Sequence, residues 1–476
     1  MKRMLFAAAF VLGAAPLSAQ ELPEAAVADL PPALLATARA LREAGLADER
    51  GYRLIESLTT EVGPRLAGSE AEARARDWAV KTMRALGFAN VHVEPFTLPG
   101  WRRGVERAAV LGAHAQPLAI TALGGSVATP EGGLEAEIVR FSDLYEIEAL
   151  PAGALAGKIA FIDLRNYRAQ NGDGYRNTVY VRSNGPAAAA EKGAVALLIR
   201  SVGTDSHRLP HTGQTRYREG VPRIPAAALS APDADQLDRL LALGPVRVRL
   251  ALTPTLFDDA PSGNVVGEIP GRLHPEEIVI AGGHLDSWDL GTGAIDDAAG
   301  VGITLAAAKL IAETAGPPAR TIRVVLWGSE EPGLYGARAY AKAHEAEIAS
   351  HVIGAESDFG AGRIWSFATR VGREDRPWTN AIHRLLRPLG IGRGDNEAGG
   401  GPDVSPLARA GMPVVELRQD GSRYFDLHHT ADDTFDKVAR AAVQQNIAAW
   451  AVLLWLTAES DVDFRPAKAN PAAHAP

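Results

Sequence analysis

The segment Gly282-Gly283-His284-Leu285-Asp286-Ser287-Trp288 sets one histidine two residues before an aspartate. Asp296-Asp297 follows, with Asp296 twelve residues beyond His284, and Glu330-Glu331 comes next. The histidine stands just after the apolar run Ile278-Val279-Ile280, and the glutamates stand after Ile322-Arg323-Val324-Val325-Leu326-Trp327. One acid pair can cap a helix. A histidine with two acid pairs, each close behind a strand-like run, suits a metal site, with Asp286 as the carboxylate that orients the imidazole. Loops at strand ends are where open α/β sheets place their chemistry. Two further segments extend the inventory: Glu356-Ser357-Asp358-Phe359-Gly360 and His428-His429-Thr430-Ala431-Asp432-Asp433-Thr434. A pair of zinc ions roughly 3.5–4 Å apart needs a bridging carboxylate, two terminal ligands on each metal and a bridging water. A further acid must stay off the metals and take the water's proton. The chain offers that set with acids to spare.

Such a site needs no thiolate here, because the 476 residues contain no cysteine. Ligands drawn from His, Asp and Glu favour a hard or borderline cation, and zinc (Zn2+) is the common catalytic choice. Lys2 and Arg3, the apolar stretch Met4 to Leu12, and Leu17-Ser18-Ala19 read as a secretory signal cleaved before Gln20. This implies a secreted or periplasmic protein. The formal charge is −8, and cleavage removes two cations and no anions. An acidic chain of this kind argues against nucleic-acid and anionic-membrane partners.

The elements that must position these residues fall into segments. Residues 1–19 are the signal, 20–111 the first part of the main domain, and 112–254 a small β-rich insert. Residues 255–460 hold the candidate site, and 461–476 form an Ala/Pro-rich flexible tail. In the first part, Ser69 caps a helix with Glu72 as capping-box partner, Gly87 ends it, and Val91 to Phe96 alternates as a strand. The insert carries short β-type runs between glycines and prolines, and its His207 and His211 read as solvated loop histidines. From Ser262 onward strand and helix alternate, with strands at 264–269, 277–281, 321–327, 352–355 and 414–417 and a closing helix over 436–456. That pattern implies a largely parallel sheet covered on both faces, a three-layer αβα architecture.

The stretch Gly283 to Gly300, Glu330-Glu331-x-Gly333-Leu334-x-Gly336, Ser357-Asp358 and His429-Thr430-x-x-Asp433-Thr434 together resemble the motifs of the co-catalytic di-zinc aminopeptidase family. The carboxypeptidase Q-like (plasma glutamate carboxypeptidase-like) branch is similar around His-Leu-Asp-Ser-Trp-Asp, and the insert is similar to a protease-associated domain. The resemblance runs from about Ala47 to Leu456. It implies two zinc ions per chain, with His284 and Asp358 on one, Glu331 and His429 on the other, and Asp296 bridging. It implies Glu330 as general base and acid, acting on the bridging water, and Asp286 behind His284. Both His428 and His429 can ligate by type; the family pattern places the ligand directly before Thr or Ser, which selects His429. The implied function is a secreted exopeptidase acting on dipeptides or short peptides with free N-termini, and the branch implies a homodimer.

Around that set, Tyr424 is the candidate donor to the substrate carbonyl, because it precedes the ligand loop. Asp403 and Ser405, in the glycine-rich run Gly399 to Ser405, are candidate site-lining residues. Asp297 suits a helix N-terminus, Asp289 a solvated loop, and Asp432 and Asp433 a cap or brace. Trp288 suits a pocket wall or the core, and the Pro64–Ser69 loop lies beside the site. Two other readings use the same scaffold. A single-zinc glutaminyl cyclase-type acyltransferase would bind one metal and form pyroglutamate. A binding ectodomain without catalysis would have lost ligands.

Overall fold

The computed structural model describes residues 30–372 and 376–466. The expected signal at 1–19 lies outside them. Two eight-stranded sheets organise the chain. Across the first, the strands run Ala89–Arg102, Thr255–Ile269, Arg320–Trp327, His274–His284, His351–Glu356, Val414–Gln419, Ile364–Arg370 and Gly392–Arg393. The middle four are parallel, and antiparallel partners flank them on both sides. The sheet is therefore mixed: a parallel centre, antiparallel partners on either side, and a short parallel pair, Ile364–Arg370 with Gly392–Arg393, at one edge.

Side-chain alternation along the central strands shows why both faces are covered. Val279, Ala281, Val324 and Leu326 pack with the helices Ala299–Thr314 and Arg440–Ala458. Ile278, Ile280, Val325 and Trp327 point the other way, onto Tyr340 and Leu407 of the helices Tyr335–Ala343 and Ser405–Arg409. Such doubly buried strands read as continuous apolar runs. The helix Arg440–Ala458 is long and apolar enough to cross a membrane, yet it lies mostly buried in the protein. It begins four residues later than expected, after a short 3-10 turn at Phe435–Lys437.

The sheet order reverses at His274–His284. The chain leaves this strand, forms the helix Ala299–Thr314 and returns beside it as Arg320–Trp327; the next crossover lands on its opposite side as His351–Glu356. Ligand sites in open α/β sheets form at such a switch point, outside the carboxyl ends of the strands.

The second sheet holds the expected insert, but with different limits and make-up. Its strand Glu106–Val110 pairs with Arg247–Leu252, so the unit starts before 112. Four of its strands, Leu134–Phe141, Ile159–Ile162, Ala196–Arg200 and Ala226–Leu229, are parallel. Helices Tyr175–Glu191 and Ala231–Leu241 accompany them, so the unit is α/β and not simply β-rich. The chain passes between the units along Ala89–Arg102 and Thr255–Ile269, which pair antiparallel from Ala89↔Glu268 to Arg102↔Thr255.

Two smaller expectations change. Ser69 caps its helix by accepting from the Glu72 amide at 3.2 Å, but the Glu72 carboxylate accepts from Gly68 at 2.8 Å and from Ser262. The reciprocal capping box is not made, because Glu72 is drawn into the interior. The flexible tail does not begin at 461: Phe464 is fully buried against Trp378, and Arg465 donates to the carbonyls of Ile348 and His351.

Candidate metal centre

The four central strands deliver the candidate residues from their carboxyl ends. His284 ends its own strand, and Glu330 and Glu331 follow Trp327. Asp358 follows Glu356, and the segment Tyr424 to His429 follows Gln419. Asp296 lies between His284 and the helix Ala299–Thr314, and its peptide bond to Asp297 is cis. That helix can sit tight against the Asp358 turn because residue 300 is glycine; a Cβ there would stand 1.8 Å from the Ser357 carbonyl.

Asp296 stands between two groups of ligand-type atoms. Its Oδ1 is 2.9 Å from His284 Nε2, which is 3.6 Å from Asp358 Oδ1. Its Oδ2 is 3.2 Å from His429 Nε2, which is 2.9 Å from Glu331 Oε2. His428 also reaches Asp296, at 3.5 Å, and its ring stacks on His429. Of the two, the ion-pair contact to Glu331 belongs to His429.

The supports are as specific as the ligands. His284 Nδ1 faces the main-chain oxygen of Asp286 at 2.9 Å, while the nearer Asp286 carboxylate oxygen lies 3.7 Å away. Asp286 therefore orients the imidazole chiefly through its carbonyl, which differs from the expected carboxylate contact. The carboxylate is occupied elsewhere: it accepts the amides of Glu330 at 2.9 Å and Glu331 at 3.2 Å. It thus fixes the loop that carries both glutamates. Asp297 accepts from the amides of His284 and Gly300, tying the strand end to the helix start. Asp433 accepts from Ala294 and Ile295, just before Asp296, while Asp432 pairs with Lys437.

Arg65, in the Pro64–Ser69 loop, is fully buried and donates to the carbonyls of Leu285, Thr292 and Gly293 at 2.7, 2.6 and 3.0 Å. It clasps the whole loop from His284 to Asp296. Arg65→Met should lower unfolding free energy by about 3 kcal/mol, since three buried carbonyls lose a charged donor. Urea denaturation of the metal-free chain measures this; a loss below about 1 kcal/mol would show that the loop holds itself.

Electrostatics show what the cluster needs. Burial, with repulsion from Asp358, Glu331 and Asp286, pushes the Glu330 carboxyl well above the usual range. Burial and neighbouring acids also raise Asp297 and Asp403 strongly, Glu356 to about 8 and Asp433 to about 7. Burial lowers the imidazoles, but their acids more than offset it: His284 is raised well above its usual value and His429 to about 9. So many buried acids around two histidines call for added positive charge. Asp296 Oδ2 and Glu331 Oε1, both buried, lack well-formed hydrogen bonds. The donor set, imidazole nitrogen and carboxylate oxygen, fits zinc.

Comparison with known proteins agrees with this geometry. Residues 264–454 match the model of peptidase family M28. Mouse carboxypeptidase Q is 35% identical over 88% of this chain and 87% of its own length. This chain is a peptidase of family M28. A crystal structure of a peptidase M28 precursor from Shewanella amazonensis SB2B is 50% identical, with a TM-score of 0.90 over 92% of the peptidase and 99% of that chain. A zinc aminopeptidase from Bacillus subtilis, 21% identical, shares the fold at a TM-score of 0.60 over 88% and 98% of the two chains. The family match, with the imidazole and carboxylate donors of the site, supports a zinc metallopeptidase.

The other candidate residues separate. Tyr424 is buried against Phe359 and His428, and burial beside Asp296, Asp358 and Glu331 raises its phenol well above its usual value. Asp403 is fully buried behind Glu356, whose carboxylate accepts its amide at 2.7 Å; Gly401 is required there, because a Cβ would meet Glu356 at 2.4 Å. Ser405 does not line the site. It opens the helix Ser405–Arg409, and its hydroxyl accepts from Arg409 on the exposed side. Asp289 is not solvated but gripped by Arg103 at 2.8 to 3.0 Å. Trp288 packs in the second unit's core and edges onto His429. A cleft of about 300 Å³ opens beside Asp358, lined by Glu356, Phe359, Glu416 and Arg418.

Of the insert's histidines, His207 is exposed as expected, but His211 is 1% exposed and bonded to the main chain of His428. Its partner in the ligand loop lies more than two hundred positions away, so local composition carried no sign of that contact. Arg65 was hidden for the same reason. Asp205 and Thr212 belong to the same contact.

Proposed function

We propose that the peptidase is a di-zinc exopeptidase cleaving dipeptides or short peptides with free N-termini. His284 and Asp358 would hold one ion, Glu331 and His429 the other, and Asp296 would bridge them. The observation that carries this is the placement of Asp296, with one oxygen toward His284 and the other toward His429. When bound, the zinc pair acidifies water and polarises the scissile carbonyl. Glu330 takes the proton from that water and passes it to the leaving amine, a role open to a carboxylate that stays outside the atoms grouped around Asp296. Asp286 keeps Glu330 and Glu331 in register by accepting both their amides. Tyr424, kept protonated by its buried and acidic surroundings, donates to the carbonyl oxygen as negative charge develops there.

The second unit, similar to a protease-associated domain, packs on the ligand loop. The N-terminal segment from Lys2 to Ala19 supports export to the periplasm or medium. The test is a panel of dipeptides and longer peptides, free and N-acetylated, with metal analysis. Expected are two zinc ions per chain, release of amino acids from unblocked peptides, loss of turnover on chelation and recovery with zinc. One zinc with pyroglutamate formation would replace the reading by a cyclase. Hydrolysis of acetylated peptides as fast as free ones would remove the free N-terminus from it.

A further inference from the structure

We infer that the second unit completes the metal centre, with Asp205, His211 and Thr212 acting as positioning residues for His429. This rests on the reading of His429 as a zinc ligand. The backbone at His429 is left-handed, φ 62°, in a residue with a Cβ. Such a conformation costs on the order of 1 kcal/mol or more unless its surroundings impose it. Here the second unit imposes it. His211 Nδ1 bonds the His428 carbonyl at 2.6 Å, and the Thr212 amide donates to the His429 carbonyl at 3.1 Å. Both peptide oxygens flanking the strained residue are therefore held from outside the metal-bearing sheet.

The imidazole itself is held the same way. A histidine that ligates through Nε2 carries its proton on Nδ1, and the acceptor of that proton sets the ring's orientation. For His284 the acceptor is local, the Asp286 carbonyl. For His429 it is the Thr212 carbonyl at 3.2 Å. Arg182, 3.4 Å from the same nitrogen, is a donor and offers no competing acceptor. The Thr212 carbonyl is firmly placed: the Thr212 hydroxyl donates to Ala122, the His211 amide donates to Ser201, and His211 Nε2 lies 2.8 Å from Asp205. A second row of contacts binds the same surfaces. The Thr204 amide donates to Phe425, and Arg168 and the Thr204 hydroxyl both engage Asp426. Of the two histidine ligands, His284 is thus aimed from within its own unit and His429 by the second unit.

The test compares His211→Ala, His211→Gln and the control His207→Ala in the full chain. Metal-free protein is titrated with zinc against a chromophoric chelator, and cobalt spectra are recorded for each. In His211→Ala one of the two affinities should fall about tenfold, the low end of the range for losing support around a ligating histidine, because the Thr212 carbonyl that faces the ring stays but is held less firmly, while the other affinity stays put. His211→Gln, which keeps a donor for the His428 carbonyl, should recover most of the loss. His207→Ala should match the wild type. Two unchanged affinities in His211→Ala would overturn the inference, and so would equal loss at both, which marks general loosening. If His211→Ala does not fold, Asp205→Asn serves: it should show a smaller loss at the same one affinity, and wild-type binding there is equally fatal. A wild-type chain without tight zinc would sink the di-zinc reading and this inference together, whereas a two-zinc wild type with an unshifted His211→Ala sinks only the inference.

Discussion

Glu330→Gln should lower kcat by about 10³-fold or more while the purified protein keeps its full zinc content, the scale expected when a general base is removed. Glutamine matches glutamate in size and keeps the backbone amide that Asp286 holds at 2.9 Å. The Glu330 carboxylate is not among the atoms grouped around Asp296; those belong to His284, Asp358, His428 and His429, with Glu331 joined through His429. The amide cannot take a proton from water or return one to the amine. Steady-state kinetics with metal analysis on the same preparation decide the matter. Turnover within tenfold of wild type would remove Glu330 as the base, and loss of zinc would make it a ligand.

Asp296→Ala should empty the centre. Each oxygen of Asp296 faces a different histidine, so one truncation strips a ligand from both candidate ions. Zinc content should fall below one per chain, and turnover should fall at least as far as in Glu330→Gln. Glu331→Ala removes a contact on the His429 side only and should leave about one tightly held ion. Thermal unfolding gives an independent readout. Zinc added well above its Kd should raise the Tm of the wild type, because a ligand that binds only the folded state stabilises it by about 4 kcal/mol at a thousandfold excess over Kd. That increment should vanish in Asp296→Ala. An unchanged zinc response in Asp296→Ala would show that Asp296 is no bridge.

The centre of the sheet was legible because four apolar runs each end in a turn bearing an acid or histidine, and doubly covered parallel strands leave that mark. The order of those strands was not legible, since spacing along the chain does not say on which side of His274–His284 a crossover lands. Residues that meet at the switch point, His284, Asp296, Glu330, Glu331, Asp358 and His429, could be named from local motifs. Residues that hold them could not. Arg65 works by donating to carbonyls, which every residue has, so nothing in its own neighbourhood marks it. His211 sits in a polar run that looks solvated until the ligand loop covers it. Asp286 lies beside His284, yet its carboxylate serves the glutamate amides, because two N–H donors lie closer than the ring.

The long ribbon formed by Ala89–Arg102 and Thr255–Ile269 has a consequence for how such a chain can change over evolutionary time. The second unit is entered at Arg102 and left at its partner Thr255, so its two ends are neighbours in space. Closure entropy grows only logarithmically with the length enclosed, about 0.6 kcal/mol per doubling. Over a four-residue turn the second unit adds about five doublings, roughly 3 kcal/mol, and its own core, which holds the two ends together, offsets that cost. All five proposed ligands lie downstream of the ribbon, so the graft can be gained, enlarged or exchanged without disturbing the register of the strands that bear them. What such an exchange does disturb is the surface that clasps residues 424 to 430, and any replacement unit must supply its own version of that clasp.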